Sequence, residues 1–143
     1  MNTQQITLVQ ASFEQVRPIA ETAAALFYER LFTLDPSIKP MFKGDMVHQG
    51  RMLMSMLSAA VDGLTNLDAL VPTVMKLGAR HNAYGVRDEH YATVGEALLH
   101  TLEKGLGEQF TPEVREAWVS AYSVLASTMQ AGSKEHQLSL LSH

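Results

Sequence analysis

His81 is an ionisable side chain at the end of a helical stripe that is otherwise apolar. The stripe consists of Leu67, Leu70, Val71, Val74 and Leu77. A neutral imidazole here could donate one N–H to a carbonyl one turn earlier, such as that of Leu77, and keep its other nitrogen free. A free imidazole nitrogen facing a cavity is the ligand that haem iron needs. The alternative is a structural histidine satisfied inside the core, and the stripe alone leaves both open.

The other five histidines offer no comparable site. His90 and His100 fall at helix starts or off the apolar faces, and His136 and His143 lie in the C-terminal tail. No pair in the chain shows the HxxxH spacing of a helical metal site, and carboxylate pairs of the di-iron type are missing. The sequence has no cysteine, which excludes disulfides and thiolate ligands.

Three residues could complete a haem pocket with His81. Phe42 follows a proline in a corner, where its ring could wedge against a porphyrin. Gln49 lies one helical turn before Leu53, so a single polar group joins an apolar helix face. Tyr28 sits inside a helical pattern, and its hydroxyl needs a partner if it is buried. Each of these positions also fits an ordinary surface or half-buried residue.

The elements that must position these residues are predicted to be helices, with no convincing strand. We expect a first helix capped by Thr3 and a second whose first turn holds Pro18. The segment DPSIKPMFKGD predicts a sharp corner with a short helical turn. Asp45 is expected to cap the helix that carries Gln49, and residues 111–113 to begin the last helix. Six or seven unequal helices with sharp corners predict an all-α fold that is not a simple bundle.

Length, composition and charge restrict the class of protein. The chain has 143 residues, of which 46% are apolar, so we expect one domain with a substantial core. A net charge of −4 argues against a nucleic-acid partner. No apolar run reaches the length of a membrane span, and the N-terminus shows no secretory signal. The absence of cysteine fits a cytoplasmic location.

Five motifs at their observed separations carry a family resemblance. They are LFYERLF, DPSIKPMF, NLDALVPTVMKLGARH, YATVGEALL and AWVSAY. With them the chain resembles bacterial single-domain globins and the globin domains of flavohaemoglobins over about residues 1–131. The segments LGARHNAYGV, TVGEALLHTLEKGLG and FTPEVREAW are similar to neuroglobins. We therefore expect a globin domain over 1–131 and a partly disordered tail over 132–143.

The resemblance implies a three-over-three globin fold around haem b. It makes His81 the proximal iron ligand and Phe42 the aromatic wedge. It places Tyr28 and Gln49 in the distal pocket, since the family's distal position precedes the proximal histidine by 32 residues; a shift of one residue would place His48 there instead. The apolar and proximal residues that it assigns to the haem are Leu53, Leu57, Leu77, Val86, Tyr91, Val94 and Leu98.

One position departs from the flavohaemoglobin pattern. In that family a tyrosine and a late-helix glutamate often hold the proximal histidine, make it more anionic and favour O–O bond breaking. Tyr91 matches the tyrosine, but Ser133 stands at the glutamate position, with Glu135 two residues beyond. The resemblance therefore implies a weaker proximal push. Arg80 is either a contact of a haem propionate or a solvated charge.

The expected function is reversible binding of O2, and of NO and CO, at a five-coordinate ferrous haem. Tyr28 and Gln49 would donate hydrogen bonds to the bound gas, and the role would be oxygen transport or storage. The alternative is a nitric oxide dioxygenase that depends on a separate reductase. A haem-based sensor is a weaker possibility, and a non-globin interaction module with a structural His81 is a further one. The chain is expected to be a monomer or a homodimer.

Overall fold

In the computed structural model, six α-helices make up most of the described chain, and none of the described residues forms a strand. The structure describes the backbone of residues 2–42, 44–83 and 88–141; the side chains at 77, 80–83, 88 and 133–141 lie outside the description. The predicted all-α class is confirmed. The helices are α1 (Thr3–Val16), α2 (Ala20–Leu34), α3 (Met46–Asp62), α4 (Leu67–Ala83), α5 (Asp88–Leu106) and α6 (Pro112–Leu141).

Two of the predicted helix starts are wrong by one or two residues. Asn2, and not Thr3, caps α1: its side chain accepts from the backbone N–H of Gln5 at 2.8 Å, and the Gln5 side chain accepts from the Asn2 backbone N–H at 3.2 Å. This reciprocal pair satisfies two free N–H groups at once, which a lone threonine cannot do. Pro18 lies in a 3-10 turn, Arg17–Ile19, and α2 begins only at Ala20.

The remaining predicted boundaries around the site are confirmed. The proline-rich corner is a 3-10 helix, Pro36–Met41. The Asp45 carboxylate accepts from the backbone N–H of Val47 at 2.9 Å and so caps α3. The Thr111 hydroxyl accepts from the backbone N–H of Val114 at 3.3 Å, at the start of α6. The tail boundary at 131 stays a prediction.

Contacts between helices divide them into two layers of three. One layer holds α1, α3 and α4, and the other holds α2, α5 and α6. Across the layers, α1 and α4 pack on α6 while α3 packs on α2, and the core between them is built from side chains such as Phe13, Phe27 and Trp118. Within the described ranges, no helix combines the length and the apolarity that crossing a membrane requires.

Polar contacts fix α1 against two of its neighbours, α6 and α3. The buried Trp118 indole N–H donates to the Ser12 hydroxyl at 2.8 Å, which joins α6 to α1. Arg17 donates to Ser58 and, at 3.1 Å, to the Asp62 carboxylate, which joins the end of α1 to α3. These bonds orient α3, the helix that carries Gln49.

The crossing of α2 and α3 depends on a glycine. Gly50 is buried, and a Cβ atom added to it would lie 3.0 Å from the Cβ of Ala24. The two backbones therefore approach as closely as small side chains allow. This crossing sets the distance between Tyr28 on α2 and Gln49 on α3.

We predict that Gly50→Val lowers the free energy of unfolding by about 1–3 kcal/mol, because overpacking a tight contact forces the two helices apart. Ser55→Val is the matched control, since Ser55 is an exposed residue of the same helix. It should change stability by less than about 0.5 kcal/mol. Urea unfolding followed by circular dichroism measures both variants, and equal losses would contradict the crossing's role.

Candidate functional site

An aromatic cluster forms the corner between α2 and α3. Tyr28 packs edge-on against Phe42, with ring centroids 5.3 Å apart, and Phe32 contacts the same two rings. Phe42 is only half-buried, while Tyr28 is 8% exposed. The corner therefore leaves part of the Phe42 ring uncovered beside a buried tyrosine. This is where the sequence predicts an aromatic wedge.

The Tyr28 hydroxyl reaches α3 at Gln49. It donates to the backbone carbonyl of Gln49 over 3.3 Å, which is long for a hydroxyl donor and indicates a weak bond. Burial raises the pKa of Tyr28 to about 12. The hydroxyl therefore keeps its proton near neutral pH and remains a donor.

The exposure of two neighbouring residues favours Gln49 over His48 at the distal position. Gln49 is half-buried and lies against Tyr28, whereas His48 is exposed. The assignment of Gln49 stays a prediction, but the structure brings Tyr28 and Gln49 together as the sequence suggested.

The face of α3 that carries Gln49 is apolar and partly uncovered. Leu53 and Leu57 are half-buried, and Met52 and Met56 on the same side of the helix are 47% and 37% exposed. Positions 49, 52, 53, 56 and 57 fall on one face at helical spacing. A large apolar macrocycle would remove this surface from water, so the residues present fit a haem on this face of α3.

Two residues of α5 that the sequence assigned to the site, Val94 and Leu98, pack against the core. Leu98 is buried and lines a small internal space of about 10 Å³ together with Leu53 and Leu57. Val94, one turn earlier, is half-buried and packs against the core. The structure thus brings three of the predicted residues, Leu53, Leu57 and Leu98, close to one another.

The predicted proximal ligand lies on α4. His81 lies in the last turn of this helix, Leu67–Ala83, and its side chain is outside the described residues. The same holds for the side chains of Leu77 and Arg80, for the whole of Val86, and for the side chain of Ser133. Their roles stay predictions.

Tyr122 on α6, a residue that the sequence did not single out, holds the backbone of Tyr91. Tyr91 is buried in the first turns of α5, and its backbone carbonyl accepts the hydroxyl proton of Tyr122 at 2.5 Å. The Tyr122 ring covers Gly95, where an added Cβ would lie 2.7 Å from a ring carbon. Both tyrosines border an open groove of about 460 Å³ between α5 and α6.

The sequence places His90 at a helix start or off the apolar faces, and the structure puts it in the first turn of α5, where it is only 7% exposed. The Ser37 side-chain hydrogen bond, with a contribution from the charge of His90, holds the pKa of Asp35 below its usual range. Among the described residues no group of three His, Asp or Glu side chains could hold a metal ion.

Comparison with known proteins identifies the family. A profile of the globin family matches residues 25–129. The chain belongs to the globin family. It is 30% identical to neuroglobin from Dissostichus mawsoni and 31% identical to neuroglobin from Danio rerio, in each case over 139 residues and 87% of both chains.

Two solved structures share the globin fold. A hexacoordinated haem protein from an anhydrobiotic tardigrade matches with a TM-score of 0.85 at 15% identity, over 94% of this chain and 96% of that one. An engineered carbene transferase, a proposed nitric oxide dioxygenase from Rhodothermus marinus, matches with a TM-score of 0.87 at 25% identity, over 100% and 99% of the two chains.

Membership of this family confirms the predicted globin fold, and it makes the chain a haem-binding protein. The alternative of a non-globin interaction module is therefore wrong. Sequence reasoning missed Met52 and Met56 on the uncovered face of α3, although their helical spacing from Gln49 was available. It also missed the Tyr122 contact, since no local pattern joins α6 to the start of α5.

We predict that Tyr28 makes the haem-free globin less stable in alkali. Tyr28 titrates near 10 in the unfolded chain but about 12 in the folded one, so the unfolded state loses its proton first. The stability contribution is intact below about pH 10 and is lost as the pH rises towards 12. Tyr28→Phe removes this loss.

Urea unfolding of the wild type and of Tyr28→Phe at several pH values between 9 and 11 measures the effect. The free energy of unfolding should fall more steeply with pH in the wild type. Every other titrating group is common to both proteins, so equal slopes would contradict the burial of the Tyr28 hydroxyl.

Proposed function

We propose that this globin binds O2 reversibly at haem b, with His81 as the proximal ligand and a transport or storage role. The observation that carries the proposal is the Tyr28 hydroxyl beside Gln49 at the edge of the uncovered apolar face of α3. Haem, when bound, supplies an iron atom that takes up diatomic gases such as O2, NO and CO. The protein's part is to hold the haem and to place hydrogen-bond donors over the gas. A cytoplasmic location is part of the same proposal.

Tyr28 can donate to a gas ligand without moving its ring. Its present acceptor, the Gln49 carbonyl, is 3.3 Å away, so leaving it costs little. Rotation about the C–O bond then aims the same proton elsewhere. Because Phe42 and Phe32 pack against the ring, the hydroxyl oxygen stays in place while the proton turns. Tyr28 thus acts as a fixed donor with two alternative acceptors.

Gln49 adds a second donor but not a ligand for iron. An amide side chain donates through its nitrogen and does not readily bind iron, whereas an imidazole does. His48, the neighbouring imidazole, is exposed. We therefore expect a five-coordinate reduced haem protein, in contrast to neuroglobin.

The visible spectrum of the purified, reduced protein tests the haem and its coordination. A high-spin five-coordinate spectrum is expected without added gas, and a low-spin six-coordinate one would contradict the role given to Gln49. His81→Ala should weaken haem retention and abolish the proximal bond, and added imidazole should restore the spectrum. Unchanged ligation in His81→Ala would refute the proximal assignment.

We predict that Tyr28→Phe speeds O2 dissociation about ten- to a hundredfold, since one hydrogen bond to a charged or strongly polarised group contributes about 1.5–3 kcal/mol and each decade corresponds to about 1.4 kcal/mol. Stopped-flow displacement of O2 by CO measures the rate. Thr101→Val is the control: it removes a buried hydroxyl that donates to the Ala97 carbonyl of its own helix and that lines the internal space beside Leu53 and Leu57. Equal rates in all three proteins would count against Tyr28 as a donor to the ligand.

Nitric oxide dioxygenation is the second candidate. It is favoured by the full-length structural match to the proposed dioxygenase from Rhodothermus marinus and by Tyr91 at the position of the flavohaemoglobin tyrosine. The net reaction joins O2 and NO to nitrate and needs an electron from a separate reductase. Sustained NO consumption with NAD(P)H and such a reductase would support it, while a single turnover followed by inactivity would favour O2 binding.

A further inference from the structure

Two glycines make reciprocal backbone contacts between α4 and α6. A Cβ added to Gly78 on α4 would overlap the carbonyl oxygen of Met129 on α6 and lie 2.6 Å from its carbonyl carbon. A Cβ added to Gly132 on α6 would overlap the carbonyl oxygen of Met75 on α4, again 2.6 Å from the carbonyl carbon. Each helix thus presents a glycine to the backbone of the other.

This contact leaves no room for any side chain. Both glycines are buried, and the atoms they meet belong to the backbone, which cannot rotate away as a flexible side chain can. Optimal separations between carbon atoms are about 3.5–4.0 Å, so a methyl group at either position must displace one helix by about 1 Å. The two contacts act together, because each lies within one turn of the other on both helices.

The contact lies within one helical turn of His81, the proposed iron ligand. Gly78 precedes His81 by three residues in the same helix, so the end of α4 that carries His81 is seated directly on α6. An α-helix is rigid over one turn, and a displacement at position 78 is passed on to the backbone at position 81. An iron–nitrogen bond tolerates little change in length.

We propose that Gly78 and Gly132 are positioning residues for the proximal histidine: their backbone contact sets the height of α4 on α6 and with it the strength of the iron–His81 bond. The inference rests on the proposed role of His81 as the iron ligand. It goes further in assigning two residues, one of them on another helix and 51 positions away in the chain, to the proximal bond.

The test measures the iron–histidine bond itself. Gly78→Ala and Gly132→Ala should each shift the iron–histidine stretching frequency in the resonance Raman spectrum of the reduced protein. Each should also raise the rate of haem transfer to excess apomyoglobin about ten- to a hundredfold. Gly105→Ala is the matched control. Gly105 lies in α5, in the same layer as α6, and a Cβ there would lie 3.3 Å from the flexible side-chain tip of Ile19. It should leave both readouts unchanged.

A detached ligand separates positioning from general damage. In His81→Gly with added imidazole, the iron ligand is no longer tied to α4, so adding Gly78→Ala should not change the iron–imidazole frequency. A frequency that shifts equally with tethered and detached ligand would overturn the proposal. Folded Gly78→Ala and Gly132→Ala proteins with wild-type frequencies would also overturn it.

One measurement needs no glycine variant and covers the case in which those variants fail to fold. Haem loading of the wild type should slow amide hydrogen exchange around Met129, since the iron–His81 bond holds α4 against α6. In His81→Gly loaded with haem and imidazole this protection should be lost. Equal protection in the two proteins would overturn the inference. If His81→Gly instead shows wild-type ligation without imidazole, the proposed function fails at His81 itself, which is a different result.

Discussion

Close contacts at glycine fix the two helices that carry the proposed distal and proximal residues. Gly50 lets α3 approach α2 so closely that a Cβ would lie 3.0 Å from the Cβ of Ala24, and Gly78 seats α4 on the backbone of α6. Neither contact can relax by a change of rotamer, because a methyl group and a backbone atom have no alternative rotamer to adopt. The helices with the distal and the proximal positions therefore have set places in the fold. The function proposed for the site depends on the distance between α3 and α4.

On the proposed distal side, hydrogen bonding to a bound gas depends on the hydroxyl proton of Tyr28. Burial raises the pKa of Tyr28 to about 12, so its hydroxyl stays protonated near neutral pH. The aromatic corner holds the ring, and the nearby Gln49 carbonyl accepts the proton over a long 3.3 Å bond. A donor whose protein acceptor is weak loses little when it turns to a gas ligand. The geometry thus suits a site that gains and loses its ligand reversibly.

Local signals in the sequence sufficed for the all-α fold and for most helix boundaries around the site, because caps, prolines and helical spacing act over a few residues. The association of Tyr28 with Phe42 and Gln49 was predicted from the family resemblance, since each of these positions taken alone also fits an ordinary surface or half-buried residue. Local signals did not reveal that His90 is buried, nor that Asn2 caps α1 through hydrogen bonds that depend on the conformation of the Gln5 side chain. The pair Gly78 and Gly132 could not be predicted, since a glycine in a helix gives no sign of the backbone that it meets.

On the proposed proximal side, the sequence argues for reversible binding over O–O bond cleavage. A carboxylate at the late-helix position would make the histidine more anionic, but Ser133 is a neutral residue. What remains is Tyr91, whose backbone is fixed by the Tyr122 hydroxyl. In the proposed function, Tyr91 would orient the His81 imidazole without adding a negative charge to it, and we expect a modest electron push on the iron.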